Sequence, residues 1–267
     1  MSQADYSALD RPEILAFVFY PRRDYVRAPS GAIDHFIAVE QDVSISCRFY
    51  IHSHSSPSIL YFHGNGEVVS DYDHIAPLYN HLGLNLFVAD YRGYGASQGQ
   101  PTLSNTVSDA SPIFTGFRDI LHREHFCKHI FVMGRSLGSI SAVEIAYRFQ
   151  NEIEGLIIES GFAAFVELLS HLGFPAEALG IEDREFPNLG KIRTVVVPTL
   201  IIHGECDRII PPGEGEALFR GSAAGDKRLV IIPEADHNDI MWLGRETYFR
   251  AIREFASASS CNRKGDA

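Results

Sequence analysis

Three residues that could together carry out nucleophilic catalysis each follow a separate β-like run of this chain. Ser136 stands between two glycines in residues 134–138 (Gly-Arg-Ser-Leu-Gly), directly after the apolar run 129–133. Asp207 and His237 follow later β-like runs. A serine hydroxyl is a weak nucleophile until a base takes its proton and a third group orients that base. The order of strand, glycine-flanked serine and helix predicts a sharp turn that exposes the Ser136 hydroxyl.

The chain order serine, aspartate, histidine is the order expected when the acid and the base follow later strands. Each residue also has a simpler interpretation, since Asp207 could cap the turn after it and His237 could begin a helix without a partner. Glu159 ends another predicted strand and is the better rival for the orienting acid. Asp236 is a weaker rival, because neighbours in an extended loop usually point apart. We therefore predict Ser136, Asp207 and His237 as catalytic residues, with Glu159 as the open alternative to Asp207.

Attack by Ser136 on a carbonyl would also require two N–H donors for the negatively charged oxygen that forms. The residue after the nucleophile supplies one donor, the backbone N–H of Leu137. Residues 63–67 (His-Gly-Asn-Gly-Glu) form a glycine-rich loop after the third predicted strand. We predict that the backbone N–H of Asn65 is the second donor, and a tight β–α turn without a ligand is the alternative.

Short β-rich runs alternate with longer amphipathic stretches, and their order predicts how these residues are positioned. Strands are predicted at residues 32–39, 44–51, 58–62, 85–89, 129–133, 155–159, 198–202 and 228–232. Helices are predicted at residues 68–82, 103–123, 136–150, 214–219 and 245–256. The first two strands should be antiparallel, because no helix separates them. From residue 58 onward the alternation predicts a parallel sheet with right-handed crossovers, and hence an α/β fold.

The chain is predicted to form a single domain over residues 1–267. Residues 161–187 carry apolar side chains but no strand, which predicts a small helical cap or, alternatively, surface helices packed on the core. Phe162, Phe165 and Leu169 in this segment are candidate pocket residues for an apolar acyl group, although core packing explains them equally well. Residues 256–267 are small and polar, which predicts a disordered tail.

The charge and the apolar pattern argue against several classes of partner. The net charge of −11 disfavours nucleic acid and anionic membranes, because both repel an acidic surface. No apolar stretch approaches the roughly 20 residues that span a bilayer. The N-terminus has no basic start followed by an apolar core, so no signal peptide is expected. These features predict a cytoplasmic protein with no integral membrane segment.

Neither the cysteines nor the histidines predict a metal site or a cofactor. The four cysteines form no CxxC pair, which favours free thiols, although two disulfides stay open. His52 and His54 stand close together, as do His122, His125 and His129. Neither set has cysteines or carboxylates in a zinc-like spacing, so we expect no metal.

In combination, these motifs resemble the α/β-hydrolase superfamily. They are the loop 63–66, the stretch 90–97 (Asp-Tyr-Arg-Gly-Tyr-Gly-Ala-Ser), the turn at 134–138 and the loops with Asp207 and His237. The His-Gly-Asn loop together with residues 236–239 (Asp-His-Asn-Asp) looks most similar to serine hydrolases that include protein depalmitoylases and related lipid or carboxylic esterases.

The resemblance implies a mostly parallel, roughly eight-stranded sheet flanked by helices, and a cofactor-free acyl-enzyme mechanism. It also implies that Ser136, Asp207 and His237 form the triad and that Arg92 braces loops around the site. We therefore predict a serine hydrolase that cleaves a carboxylic ester or thioester of a small-molecule or acyl substrate. An amidase or peptidase of the same fold, and a ligand-binding receptor or scaffold with little turnover, are the alternatives. Substrate identity, acyl length and oligomeric state stay open.

Overall fold

The computed structural model describes residues 6–176, 180 and 188–262, in which one sheet of eight strands is formed. The strands are β1 (Ala32–Glu40), β2 (Val43–Tyr50), β3 (Ser58–Phe62), β4 (Asn85–Ala89), β5 (Ile130–Arg135), β6 (Gly155–Glu159), β7 (Thr199–Gly204) and β8 (Lys227–Ile232). Their order across the sheet is β1-β2-β4-β3-β5-β6-β7-β8. The predicted α/β fold is confirmed.

The direction of the strands explains where a site can form. β1 pairs antiparallel with β2 and β2 with β4, whereas every pairing from β4 to β8 is parallel. The chain runs from β3 outward to β4 and then returns to place β5 on the other side of β3. At such a reversal the loops after β3 and β5 diverge and leave a crevice at the carboxyl ends of the strands.

Helices cover both faces of the sheet, which is why β3 to β6 are buried along their whole length. The described helices are α1 (Pro12–Val18), α2 (Ala76–His81), α3 (Leu103–Ser108), α4 (Ala110–Arg123), α5 (Ser139–Phe149), α6 (Phe165–His171), α7 (Asn188–Ile192), α8 (Pro212–Gly221), α9 (Ile240–Leu243) and α10 (Arg245–Asn262). Successive strand residues alternate between the two layers: Leu60 and Val132 face one core, and Tyr61 and Met133 face the other.

Two predicted helices are each divided in the structure. Predicted helix 68–82 is a 3-10 turn (Val69–Asp73) followed by α2, which has a proline in its first turn. Predicted helix 103–123 is interrupted at Asp109, between α3 and α4. The Asp109 carboxylate accepts two hydrogen bonds of 2.7 Å from the Arg92 guanidinium, which also binds Glu40. Arg92 thus braces the loop after β4 against β1 and the α3–α4 junction.

The prediction of disorder from residue 256 is wrong as far as the structure describes it. Helix α10 continues through Asn262, because its inner face, with Tyr248, Ile252 and Phe255, is buried against the sheet and the helix propagates from there. Residues 263–267 lie outside the described part of the chain. Of the predicted cap, the structure describes α6, whereas residues 177–179 and 181–187 lie outside the described part.

The turn between β5 and α5 depends on two glycines. A Cβ built on Gly138 would overlap the carbonyl oxygen of Phe62 at the end of β3. A Cβ on Gly134 would overlap the carbonyl oxygen of Gly138. Only glycine therefore allows the turn to pack this closely against the neighbouring strand.

Gly138→Ala should destabilise the protein, because the backbone oxygen of Phe62 cannot move away as a flexible side chain would. We expect a loss of about 1–3 kcal/mol in the free energy of unfolding, measured by urea denaturation. Gly213→Ala, in α8, is the matched control, since a Cβ there meets nothing within 4 Å. The packing explanation fails if both variants have the stability of the wild type.

Candidate active site

Ser136 lies at the turn that follows β5, with its backbone in the left-handed region at φ 52°. This conformation is uncommon for a residue with a side chain and is maintained only where the surroundings enforce it. Residues Ser136–Gly138 form a 3-10 turn that leads directly into α5. The sharp strand-to-helix turn predicted from the glycine spacing is thus formed, and Ser136 lines a cavity above the sheet.

The three predicted catalytic residues meet in one hydrogen-bonded row. His237 Nε2 lies 3.1 Å from Ser136 Oγ, and His237 Nδ1 lies 2.7 Å from Asp207 Oδ2. Asp207 comes from the loop after β7 and His237 from the loop after β8. Asp207 and His237 are each 4% exposed, so water screens their contact weakly.

Asp207 is held as a carboxylate by several donors. Burial alone would raise its pKa, but hydrogen bonds from His203 and His237 outweigh burial and hold the Asp207 pKa well below its usual range. The backbone N–H groups of Ile209 and Ile210 donate to Oδ1 at 3.0 and 2.8 Å. Asp207 therefore caps its own turn with one oxygen and binds His237 with the other.

The two rival acids have other partners. Glu159 is fully buried and accepts hydrogen bonds from Arg135 Nε (3.1 Å) and from the Tyr248 hydroxyl (2.6 Å). Asp236 Oδ1 accepts the backbone N–H of His237 at 2.7 Å and does not face the imidazole ring nitrogens. Of the three candidates, the structure brings Asp207 alone to the His237 ring.

Arg135, the residue before Ser136, was not singled out from the sequence. Its buried guanidinium donates to the His237 carbonyl at 2.9 Å and to Asn238 Oδ1 at 3.0 Å. It also forms ion pairs with Glu67 and Glu159. Burial alone would lower the Arg135 pKa, but the two carboxylates outweigh burial and raise it. The guanidinium therefore stays charged and holds the His237 loop beside the serine.

Glu67 extends this arrangement to the glycine-rich loop after β3. Its carboxylate accepts the Gly64 N–H at 2.8 Å and the Tyr72 hydroxyl at 2.7 Å. Burial alone would raise the Glu67 pKa, but Arg135, His63 and the hydrogen bonds from Tyr72 and Gly64 together outweigh burial and lower it. The loop and the histidine are thus fixed through one ionised pair.

Asn65 and Leu137 both line the cavity beside Ser136. The Asn65 side chain is fixed by the Tyr94 hydroxyl, which donates to Oδ1 at 2.6 Å. Its backbone N–H makes no hydrogen bond to the described part of the chain. Leu137 N–H belongs to the first turn of a helix, where N–H groups lack an intrahelical partner. The role of these two N–H groups as oxyanion donors stays a prediction.

The cavity has a volume of about 480 Å³ and a mostly apolar wall, which is typical of small-molecule sites. The predicted pocket residues Phe162, Phe165 and Leu169 all line it. Phe17, Val18 and Tyr20, around the end of α1, form another part of the wall. Sequence reasoning missed this wall, although the apolar run 14–20 was a signal for it.

The remaining predictions concern metal sites, disulfides and membrane-spanning segments. Among the described residues, no group of three or more His, Cys, Asp or Glu side chains could hold a metal ion. Cys47, Cys127 and Cys206 are free thiols. The described helices include none that is both long enough and apolar enough to span a membrane.

Comparison with known families identifies the chain. The family described as serine aminopeptidase, S33 (Hydrolase_4) matches residues 53–189 and 172–241. The chain belongs to this family. It is therefore an α/β hydrolase, and the resemblance found in the motifs is confirmed. The matched span begins at residue 53, so the wall formed by residues 17–20 lies outside it.

Individual proteins are similar to this chain in sequence or in fold. Protein bem46 of Schizosaccharomyces pombe is 29% identical over 215 residues, which cover 78% of this chain and 70% of that protein. Human α/β hydrolase domain-containing protein 17B is 29% identical over 223 residues, covering 82% and 73%. The esterase Pf2001 of Pyrococcus furiosus superposes with a TM-score of 0.74 over 90% of this chain and 99% of its own. At 18% identity, that similarity shows the fold alone.

Arg135→Lys should weaken the loop arrangement, because an ammonium group cannot bond Glu67, Glu159 and the His237 carbonyl in the planar geometry of a guanidinium. We expect a loss of about 1–3 kcal/mol in the free energy of unfolding, measured in urea. Arg250→Lys, on an exposed face of α10, should change stability by less than about 0.5 kcal/mol. Wild-type stability of Arg135→Lys would contradict the role given to the guanidinium.

The lowered pKa of Asp207 predicts how its contribution to stability varies with pH. A carboxylate with a folded-state pKa below its unfolded value, about 3.9, stabilises the fold above that value and loses this contribution as the pH falls. The wild type should therefore exceed Asp207→Asn in the free energy of unfolding at about pH 7, by a margin that shrinks towards about pH 3. Asp226→Asn, an exposed control, should show little margin at either pH. A constant margin for Asp207→Asn would contradict the assignment.

Proposed function

We propose that this protein hydrolyses carboxylic esters or thioesters of apolar acyl groups, with Ser136 as nucleophile. The observation that carries the proposal is the row Asp207–His237–Ser136, with contacts of 2.7 and 3.1 Å, at the wall of an apolar cavity. A base within hydrogen-bond reach of a serine, itself oriented by an acid, is the arrangement that activates the hydroxyl.

In the first half of the reaction, the acyl group is transferred to the enzyme. His237 Nε2 takes the proton of Ser136 as its Oγ bonds to the acyl carbon, and Asp207 stabilises the imidazolium that results. The backbone N–H groups of Asn65 and Leu137 bind the oxyanion. The imidazolium then donates its proton to the departing alkoxide or thiolate as the carbon–oxygen or carbon–sulfur bond breaks.

Water completes the cycle through the same groups. His237 takes a proton from a water molecule whose oxygen attacks the acyl carbon, and it returns that proton to Ser136 Oγ as the acyl–enzyme bond breaks. The products are the free acid and the original serine. The two transfers between Ser136 Oγ and His237 Nε2 join atoms that already lie 3.1 Å apart.

The lining of the cavity favours an acyl ester over a peptide with a free N-terminus, which an aminopeptidase, the enzyme class named in the family description, would act on. An N-terminal ammonium in an apolar cavity would require a carboxylate partner. The described lining residues include no aspartate or glutamate, and the charge of Arg135 is already paired with Glu67 and Glu159. An uncharged acyl group therefore suits this lining better.

Ser136→Ala should lower kcat/KM for p-nitrophenyl esters and acyl thioesters by about 10⁴-fold or more, because the nucleophile is removed. Ser139→Ala is the matched control: Ser139 is a fully buried serine whose hydroxyl has no partner in the described structure. It should keep most of the activity. Aminoacyl p-nitroanilides should be hydrolysed more slowly than acetyl or butyryl esters. Faster cleavage of the anilides, or full activity of Ser136→Ala, would overturn the proposal.

A further inference from the structure

The N-terminal segment contributes a wall to the cavity that the family match does not include. Phe17, Val18 and Tyr20 line the same cavity as Ser136 and His237. The segment is anchored in the core by Ile14, which is 0% exposed, and by Phe19, which is 6% exposed. The core residues on both sides of Phe17 and Val18 are thus fixed, while Phe17 and Val18 themselves are half-buried and line the cavity.

We propose that residues 17–20 determine the length of the acyl chain that this hydrolase accepts, with Phe17 as the main specificity-determining residue. The inference rests on the proposed esterase or thioesterase function and adds to it the residues that select the length of the acyl chain. The wall acts on substrate choice because it adds apolar surface and bulk to the cavity and takes no part in the proton transfers.

The side chain of Asn65 holds this wall in place. Its Oδ1 accepts the backbone N–H of Tyr20 at 3.1 Å and the Tyr94 hydroxyl at 2.6 Å, and its Nδ2 donates to the Val18 carbonyl. Tyr20 N–H also lies 3.0 Å from the Tyr94 oxygen, and Tyr94 is fully buried. Asn65 thus joins the candidate oxyanion donor, through its backbone, to the substrate wall, through its side chain.

A second contact joins the wall to the segment that follows α6. The ring centroids of Phe17 and Phe174 are 5.0 Å apart, with the rings tilted by 48°. Leu168, Leu169 and Leu172 of α6 and its end line the cavity as well. Phe17 thus extends from the N-terminal segment to the region that follows α6, where its ring limits the space for a chain that enters from Ser136.

The volume of one side chain should shift substrate preference in a defined direction. A single methylene in an apolar pocket changes kcat/KM by roughly 10–200-fold. Phe17→Ala should move the optimum to longer acyl chains, and Phe17→Trp should move it to shorter ones, each with about a tenfold or larger change in the ratio of kcat/KM for a long and a short ester. A purely structural role of Phe17 would lower activity on all chain lengths alike.

The test is kcat/KM for p-nitrophenyl esters from acetyl to palmitoyl, measured on the wild type, Phe17→Ala, Phe17→Trp and Phe36→Ala. Phe36, on β1, is 61% exposed and outside the lining of this cavity, so Phe36→Ala should keep the wild-type profile. Opposite shifts for the two Phe17 variants support the proposal. If the wild type is active and both Phe17 variants keep its chain-length profile, the role of Phe17 is overturned, while the proposed function stands. A wild type that hydrolyses no ester in the series overturns the proposed function itself.

Discussion

The arrangement of the site depends on one buried cation, the guanidinium of Arg135. It belongs to the residue before Ser136, yet it bonds the backbone of the His237 loop and, through Glu67, the loop that carries Asn65. A buried guanidinium is costly unless its charge is paired and its N–H groups are bonded, and two carboxylates meet that requirement here. The turn with Ser136, the loop with His237 and the loop with Asn65 follow different strands, and all three are held by this one guanidinium.

The same cation explains which acid serves the histidine. Glu159 ends β6 and is buried, as an orienting acid would be, but its oxygens are bonded to Arg135 and to Tyr248. Asp207, one strand further along the sheet, is left to bind His237 Nδ1. The two buried carboxylates thus have separate tasks, one in fixing the loops and one in holding the imidazole. The partners of Asp207 lower its pKa, as expected for an acid that holds the imidazole while ionised.

The sequence predicts those features that depend on local patterns. Apolar runs predict the strands, and glycines around Ser136 predict the turn, because each signal lies within a few residues. The bonds of Arg135 cannot be predicted in this way, because its partners Glu159, Glu67 and Asn238 are 24, 68 and 103 residues away along the chain. The division of the long helix at Asp109 depends in the same way on a distant Arg92. The wall at residues 17–20 was missed because a short apolar helix does not reveal what it packs against.

If Ser136 is an activated nucleophile, a reagent that reacts only with activated serines should label it covalently. The folded protein would be treated with a fluorophosphonate and the labelled residue located by peptide mass spectrometry. We expect a single adduct on Ser136, whose rate of formation falls by about 10³-fold or more in His237→Ala. Activation of Ser136 by His237 would be contradicted by labelling of another serine or by an equal rate in His237→Ala. It would also be contradicted if no adduct formed, which is the result expected of a ligand-binding scaffold without turnover.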